Sequence, residues 1–227
     1  MMMRSDSRSA AGLAANAMLA AAGLVLALGT LVHARDPLYF VMEFAREDGP
    51  IEYATALLLA AGAGVLLVNA RALARRGQSF AAAMTAIYAL VFLFGAGEEI
   101  SWGQRLFDIP SGAFFQAYNH QKEINLHNMV IGDVHLASTV FGSFLTGLIL
   151  LYLLVLPLVY PRLAWLRRLA DRLAVPVPRM RHGAVALVGS LIVAGMDQER
   201  KWEIYELVFA LVMLSVFLLP QNRARTR

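Results

Sequence analysis

Residues 136–161 read LASTVFGSFLTGLILLYLLVLPLVYP, from Leu136 to Pro161, without one charged side chain. At about 1.5 Å per residue, a helix of that length crosses the roughly 30 Å of a bilayer's hydrocarbon with room to tilt. A chain in lipid must satisfy its own N–H and C=O groups, so the run is read as a membrane-spanning helix. Working outward, five further uncharged runs follow the same reading: Ala11 to Val32, Tyr53 to Ala70, Gln78 to Gly97, Gly183 to Met196 and Leu207 to Asn222. The last two would reach only about 21 and 24 Å, so each must borrow from the polar segment Asp197 to Glu206 between them. That borrowing draws Glu203 and Glu206 toward lipid depth, where an ionisable group is costly and faces a partner or a polar cavity.

Composition agrees with this frame. The 227 residues are 59% hydrophobic and 16% charged, with a mean hydropathy of +0.58, whereas soluble domains run at about 45–50% apolar and 25% charged. A soluble domain and a disordered chain are excluded, and the absence of cysteine excludes a disulfide scaffold. The expected fold class is all-α: a polytopic integral membrane protein with about six transmembrane helices plus an interfacial or re-entrant segment on the outer side. It forms one membrane domain over 1–227. A tail at 1–10 precedes four helices within 11–160, which enclose the outer polar segment 98–135. A basic loop at 161–182, the last two helices within 183–222 and a tail at 223–227 complete it.

Charge orients the chain. With a cytoplasmic N-terminus, Arg4, Arg8, Arg71, Arg75, Arg76, Arg162, Arg167, Arg168, Arg172, Arg179, Arg181, Arg223, Arg225 and Arg227 all face the cytoplasm. The positive-inside rule selects that topology, with both termini cytoplasmic in a bacterial inner membrane. The basic clusters then serve orientation and contact with anionic membrane lipid, and nucleic acid is not the expected partner. Of the acids, only Asp6 and Asp171 lie on the cytoplasmic side. The first run also imitates a signal peptide ending at Val32-His33-Ala34, but it is longer than a signal core and is read as an uncleaved helix. Arg162 to His182 is expected to carry a short amphipathic helix with Arg167, Arg168, Asp171 and Arg172 on the inner leaflet.

The outer segment holds the chemistry. Glu98 to Phe107 is read as an interfacial or re-entrant helix carrying Trp102, and Ala113 to Asn128 as a second short helix, divided by the turn Asp108 to Gly112. Gly97-Glu-Glu-Ile-Ser-Trp-Gly-Gln-Arg105 places two adjacent carboxylates where the third helix leaves the bilayer. They point about 100° apart, so one is expected to bind a metal or proton while the other pairs with Arg105; both also suit a helix N-terminus. Glu123 and His127 are four apart, which on a helix gives one face a carboxylate and an imidazole, with Asn125 or Asn128 to fix the imidazole tautomer. Asp133 is read as the N-cap of the fourth helix, with His135 as a ligand or an interfacial residue. Asp48 and Glu52 are read as capping the second helix beside Pro50, and Glu203 and Glu206 as sharing a face of the sixth.

With EDGPIE at 47–52, GEEISWGQR at 97–105 and NLHN at 125–128, the chain resembles a family of small bacterial polytopic membrane proteins. The resemblance implies that Glu47, Asp48, Glu52, Glu98, Glu99, Trp102, Gln104, Arg105, Asn125, His127 and Asn128 belong together, and brings no reaction with them. A looser similarity is to the seven-helix ceramidase-like membrane hydrolases, which combine acids and histidines near one leaflet but carry a histidine pair that is missing here.

The leading expectation is a membrane enzyme at the outer leaflet, performing hydrolysis or group transfer on a lipid or lipid-linked substrate. A divalent metal would be held by Glu98 or Glu99, His127 and Glu206; Glu123 or the second carboxylate would move protons, and Arg105 would hold an anionic headgroup. Trp102, Gln104, Asn125, Asn128 and Glu52 would line the substrate site. The competing expectations are a proton- or cation-coupled transporter subunit and an accessory protein of envelope biogenesis.

Overall fold

The computed structural model describes residues 3–226, with side chains from residue 10 onward. Of the charges used to orient the chain, the side chains of Arg4, Asp6 and Arg8, and Arg227 altogether, lie outside the described residues. The structure is all-α: α1 (Met3–Arg35), α2 (Pro50–Arg75), α3 (Ser79–Glu99), the short α4 (Ala113–Tyr118), α5 (Ala137–Val159), α6 (Ala164–Arg172), α7 (Met180–Ala194) and α8 (Lys201–Leu218). A two-residue ribbon pairs β1 (Val130–Ile131) with β2 (Val134–His135). Among the described residues, α1 from Ala10 onward, α2, α3 and α5 are long and apolar enough to cross a membrane.

Local chemistry sets the helix limits. Pro50 occupies the first turn of α2, where its missing N–H costs nothing, and the Glu52 carboxylate reaches back to accept from the Asp48 N–H at 2.7 Å. Glu52 therefore caps α2, whereas the Asp48 side chain, expected in that role, is free to bond elsewhere. At the other end Gly77 adopts φ +73, and Gln78 N–H donates to the Leu73 carbonyl at 3.1 Å while Gly77 N–H donates to Ala74 at 3.0 Å. This left-handed cap turns the chain into α3, which packs along α2 as a tight hairpin.

The sixth run becomes the centre of the bundle. α8 begins at Lys201, so Glu203 and Glu206 are helical, as its shortness required. Most of its residues from Ile204 to Phe217 are buried, against α1, α2 and α7. Gly29 of α1 meets the Ile204 side chain, Gly189 of α7 meets Val208 and Gly62 of α2 meets Phe217. Lipid is as apolar as leucine, so these close approaches hold the helices by packing rather than by removal from water. The fifth run does not borrow where expected. α7 takes Met180 to His182 from the basic loop and stops at Ala194, because Gly195 and Met196 already turn the chain back. His182 fits the interior because its Nδ1 accepts from the Arg179 N–H at 2.9 Å and its Nε2 bonds Ser215 at 3.1 Å.

α5 is packed at one end only. No residue of Ala137–Leu150 is buried, and Leu153 is the first that is. There Pro157 cannot donate to the Leu153 carbonyl, and α7 comes so close that a Cβ on Gly183 would stand 2.6 Å from that oxygen. α6 forms as expected and is tied down by Asp171, which accepts from Tyr160 Oη at 2.7 Å and from Asn222 Nδ2 at 3.1 Å.

Candidate functional site

The ends of α2, α3 and α8 that carry Glu52, Glu99, Glu203 and Glu206 converge, and the GEEISWGQR motif lies among them. α3 runs through Glu99 and then reverses sharply: Ser101, Trp102 and Gly103 take φ of +46, +55 and +78. Left-handed backbone at two consecutive residues other than glycine is strained by about 1–2 kcal/mol each, so surrounding contacts must impose it. The expected helix over Glu98 to Phe107 is therefore absent. Trp102 folds back across Gly97, and its Nε1 donates to Glu98 Oε1 at 2.9 Å.

Glu98 is a latch for the following loop. Its Oε2 accepts from the N–H groups of Leu126 at 2.7 Å and His127 at 2.9 Å, and the residue is only 5% exposed. Gln104 Oε1 accepts from Ile124 N–H at 2.6 Å, while its Nε2 donates to Ser111 at 2.7 Å. Glu123, equally buried, accepts from Ser101 Oγ at 2.8 Å and Asn125 Nδ2 at 2.7 Å. Asn119 completes the knot, donating to Asn125 and accepting from the Gln121 and Glu123 N–H groups.

An ionic chain runs beside the knot. Arg105 donates to Asp48, Glu123 and, at 3.3 Å, Glu47; Arg200 donates to Glu47 at 2.5 Å and Glu203 at 3.2 Å. Burial by itself would raise the Glu47 carboxyl, but its bonds to Arg200 and the charge of Arg105 hold it below the ordinary value. Burial likewise works against the charge on Arg105, yet its bond to Asp48 and the charges of Glu123, Asp48 and Glu47 raise its pKa. Arg200, against a similar burial cost, is raised by Glu47 and Glu203.

Two carboxylates stay outside these bonds. Glu99 and Glu206 have no hydrogen-bond partner among the described residues; Glu206 is exposed and Glu99 half-buried. Glu206 lies within electrostatic reach of Glu99, Glu203 and Glu52, and Glu99 within reach of Glu203 and Glu52. Glu206 also sits on the least covered stripe of α8, with Trp202, Phe209 and Met213 at spacings of three and four.

The other expected site residues are placed differently from the sequence reading. α4 ends at Tyr118, so Glu123 and His127 are not on one helix face; Glu123 turns to Arg105 and the His127 ring lies 3.6 Å from Glu98. Asn125 bonds Asn119, Ser101 and Glu123, and Asn128 bonds Gln121, so neither orients His127. Asp133 stands in the turn of the ribbon after Gly132, and Leu136, not Asp133, precedes α5. His135 lends its carbonyl to Ser138 and Thr139. Among the described residues no three His, Asp or Glu side chains are grouped so that they could hold a metal ion. Ser101, Asn119 and Arg200 were missed. Ser101 stood inside the quoted motif, and Arg200 is one of few cations on an acidic face, so both had a readable signal.

Comparison with known protein families, with characterised proteins and with solved structures finds no match for this chain. The protein is therefore defined by what its own geometry provides: a largely helical, membrane-embedded chain with a hydrogen-bonded knot after α3 and a separate group of carboxylates.

Proposed function

We propose that this is a six-span inner-membrane protein, with both termini cytoplasmic, whose Glu52, Glu99, Glu203 and Glu206 bind and release protons at its outer end. The observation that carries the reading is the contrast between neighbours. Glu98 is bonded at both oxygens, whereas Glu99 and Glu206 meet no donor and face other carboxylates. Acids crowded in a poorly solvated place repel unless a proton or cation neutralises them, and among the described residues no grouping of three is arranged for a metal. Glu203, bonded to Arg200, links this group to the ionic chain, so a protonation change can be felt at Glu47 and Arg105. The role is that of a proton-coupled subunit. Infrared difference spectra of the reconstituted protein between pH 8 and pH 5 test it. A protonated-carboxyl band lost in Glu99→Gln and Glu206→Gln but kept in Glu47→Gln supports the proposal, and spectra identical across the variants overturn it.

A second reading is favoured by the loose outer half of α5. Because Ala137–Leu150 is unburied and Glu206 is exposed, a lipid or lipid-linked substrate can approach from the side, and hydrolysis or group transfer would use Glu99 or Glu206 as the base. Incubation with bacterial lipid extract, followed by mass spectrometry for products absent with Glu206→Gln, tests that reading.

A further inference from the structure

At the end of the bundle away from the acids, an apolar groove of about 280 Å³ lies between α5 and α6. Its wall is one seam of α5, from Leu148 and Leu151 through Val155 to Val159, and Leu166 of α6 closes it. Leu148, Leu151 and Val155 are exposed, on a helix long and apolar enough to cross a membrane. From Leu148 to Val159 the helix rises about 17 Å, close to the roughly 15 Å that one leaflet contributes to the hydrocarbon core. The groove thus has the length of one leaflet's acyl chain and ends where a headgroup begins.

Charge at that end supplies the second observation. The turn out of α5 carries Arg162, and α6 carries Arg167 and Arg168, all three exposed. None of them forms an ion pair among the described residues. Arg162 donates to the Leu158 carbonyl and Arg168 Nε to the Ala164 carbonyl at 3.3 Å, both neutral acceptors. Asp171, the acid of α6, is taken up by Tyr160 and Asn222. Arg162 lies three residues after Val159 and four before Leu166, the two residues that end the groove. Arg167 follows Leu166 and lies within electrostatic reach of Tyr160, next to Val159. Trp165 is exposed on the same helix, and its ring type settles at headgroup level.

We infer that this groove binds one anionic phospholipid, with an acyl chain along α5 and the phosphate on Arg162 and Arg167. A zwitterionic lipid fits the slot equally well but brings its own cation, so the arginines make the choice. A guanidinium suits that task, since it can hold phosphate oxygens through two N–H bonds. Diffuse attraction to a charged leaflet needs no slot; here the slot fixes where the lipid sits.

Native mass spectrometry of the full chain in detergent, with equal phosphatidylglycerol and phosphatidylcholine, tests this. The wild type is expected to retain one phosphatidylglycerol with a preference of about fivefold or more, the scale of one cation near a headgroup. Arg162→Gln with Arg167→Gln is expected to abolish the preference. Arg71→Gln with Arg75→Gln, the same charge loss at exposed positions of α2, is expected to leave it. Val155→Trp or Leu151→Trp fills the slot without touching a charge and is expected to lower retention of both lipids by about fivefold, as overfilling a packed site does. Size exclusion confirms which variants remain folded, and both tryptophan positions already face outward. No preference in the wild type, an equal loss in the α2 pair, or undiminished retention in a folded tryptophan variant overturns the inference. The second of these results shows diffuse attraction, and the third a headgroup held without the groove.

Discussion

The indole of Trp102 lies against Gly97, five residues back on α3, so closely that a Cβ at Gly97 would stand 2.9 Å from three of its ring atoms. That contact and the bond from Trp102 Nε1 to Glu98 hold the left-handed turn at the end of the helix. Gly97→Ala is expected to lower stability by about 1–3 kcal/mol through overpacking. Thermal unfolding in detergent, with the shift in tryptophan emission as Trp102 is displaced, measures it; unchanged emission would show that the ring is not seated there.

Arg105 joins the segment before α2 to the loop after α4. Arg105→Ala leaves Glu123 buried without its cation, at an expected cost of about 2–3 kcal/mol. Lysine cannot reproduce the fork to Asp48, Glu47 and Glu123 and is expected to rescue only in part. Limited proteolysis of 106–128 should quicken in both variants, more so in the alanine.

The ionic chain has a defined acid limit. Glu47 titrates below its ordinary value of 4.5 in the folded protein, so its pairing contributes stability above pH about 4.5 and loses it as the pH falls through the lower folded value. Unfolding midpoints taken from pH 7 to pH 3 should drop across that window. In Glu47→Gln the part of the drop due to this group should vanish.

Two adjacent glutamates are expected to behave oppositely. Glu98→Gln sets an amide donor against N–H groups, and should speed hydrogen exchange at Leu126 and His127 by about tenfold or more. Glu99→Gln removes one like charge from a crowded group and breaks no bond, so unfolding should stay within about 1 kcal/mol or improve. Equal destabilisation by both would contradict the division between knot and free carboxylates.

The four long apolar helices were legible because length and hydropathy bear directly on crossing a bilayer, and the capture of Glu203 and Glu206 by α8 followed from its short apolar run. The direction in which α7 grew was not legible, since it depends on Gly195 and Met196 turning the chain and on the His182 bonds. The outer segment was misread for a related reason. Glu123 and His127 have helical spacing, but Asn119 captures the Gln121 and Glu123 N–H groups with its side-chain Oδ1, and the backbone never coils. Within GEEISWGQR the sequence shows which side chains have chemistry, while only three-dimensional partners show that Glu98, Ser101, Gln104 and Arg105 are already engaged and Glu99 is not.

The helix on which α1, α2 and α7 all pack, α8, comes after them in the chain. On the ribosome the earlier spans therefore enter the lipid before the surface they are shaped to meet exists. Gly29, Gly62 and Gly189, which receive α8 side chains, must wait with lipid or an insertion factor against them. Packing of this group is thus completed only when α8 is made: a chain stopped before Lys201 would carry α1, α2 and α7 with the surfaces that receive α8 uncovered.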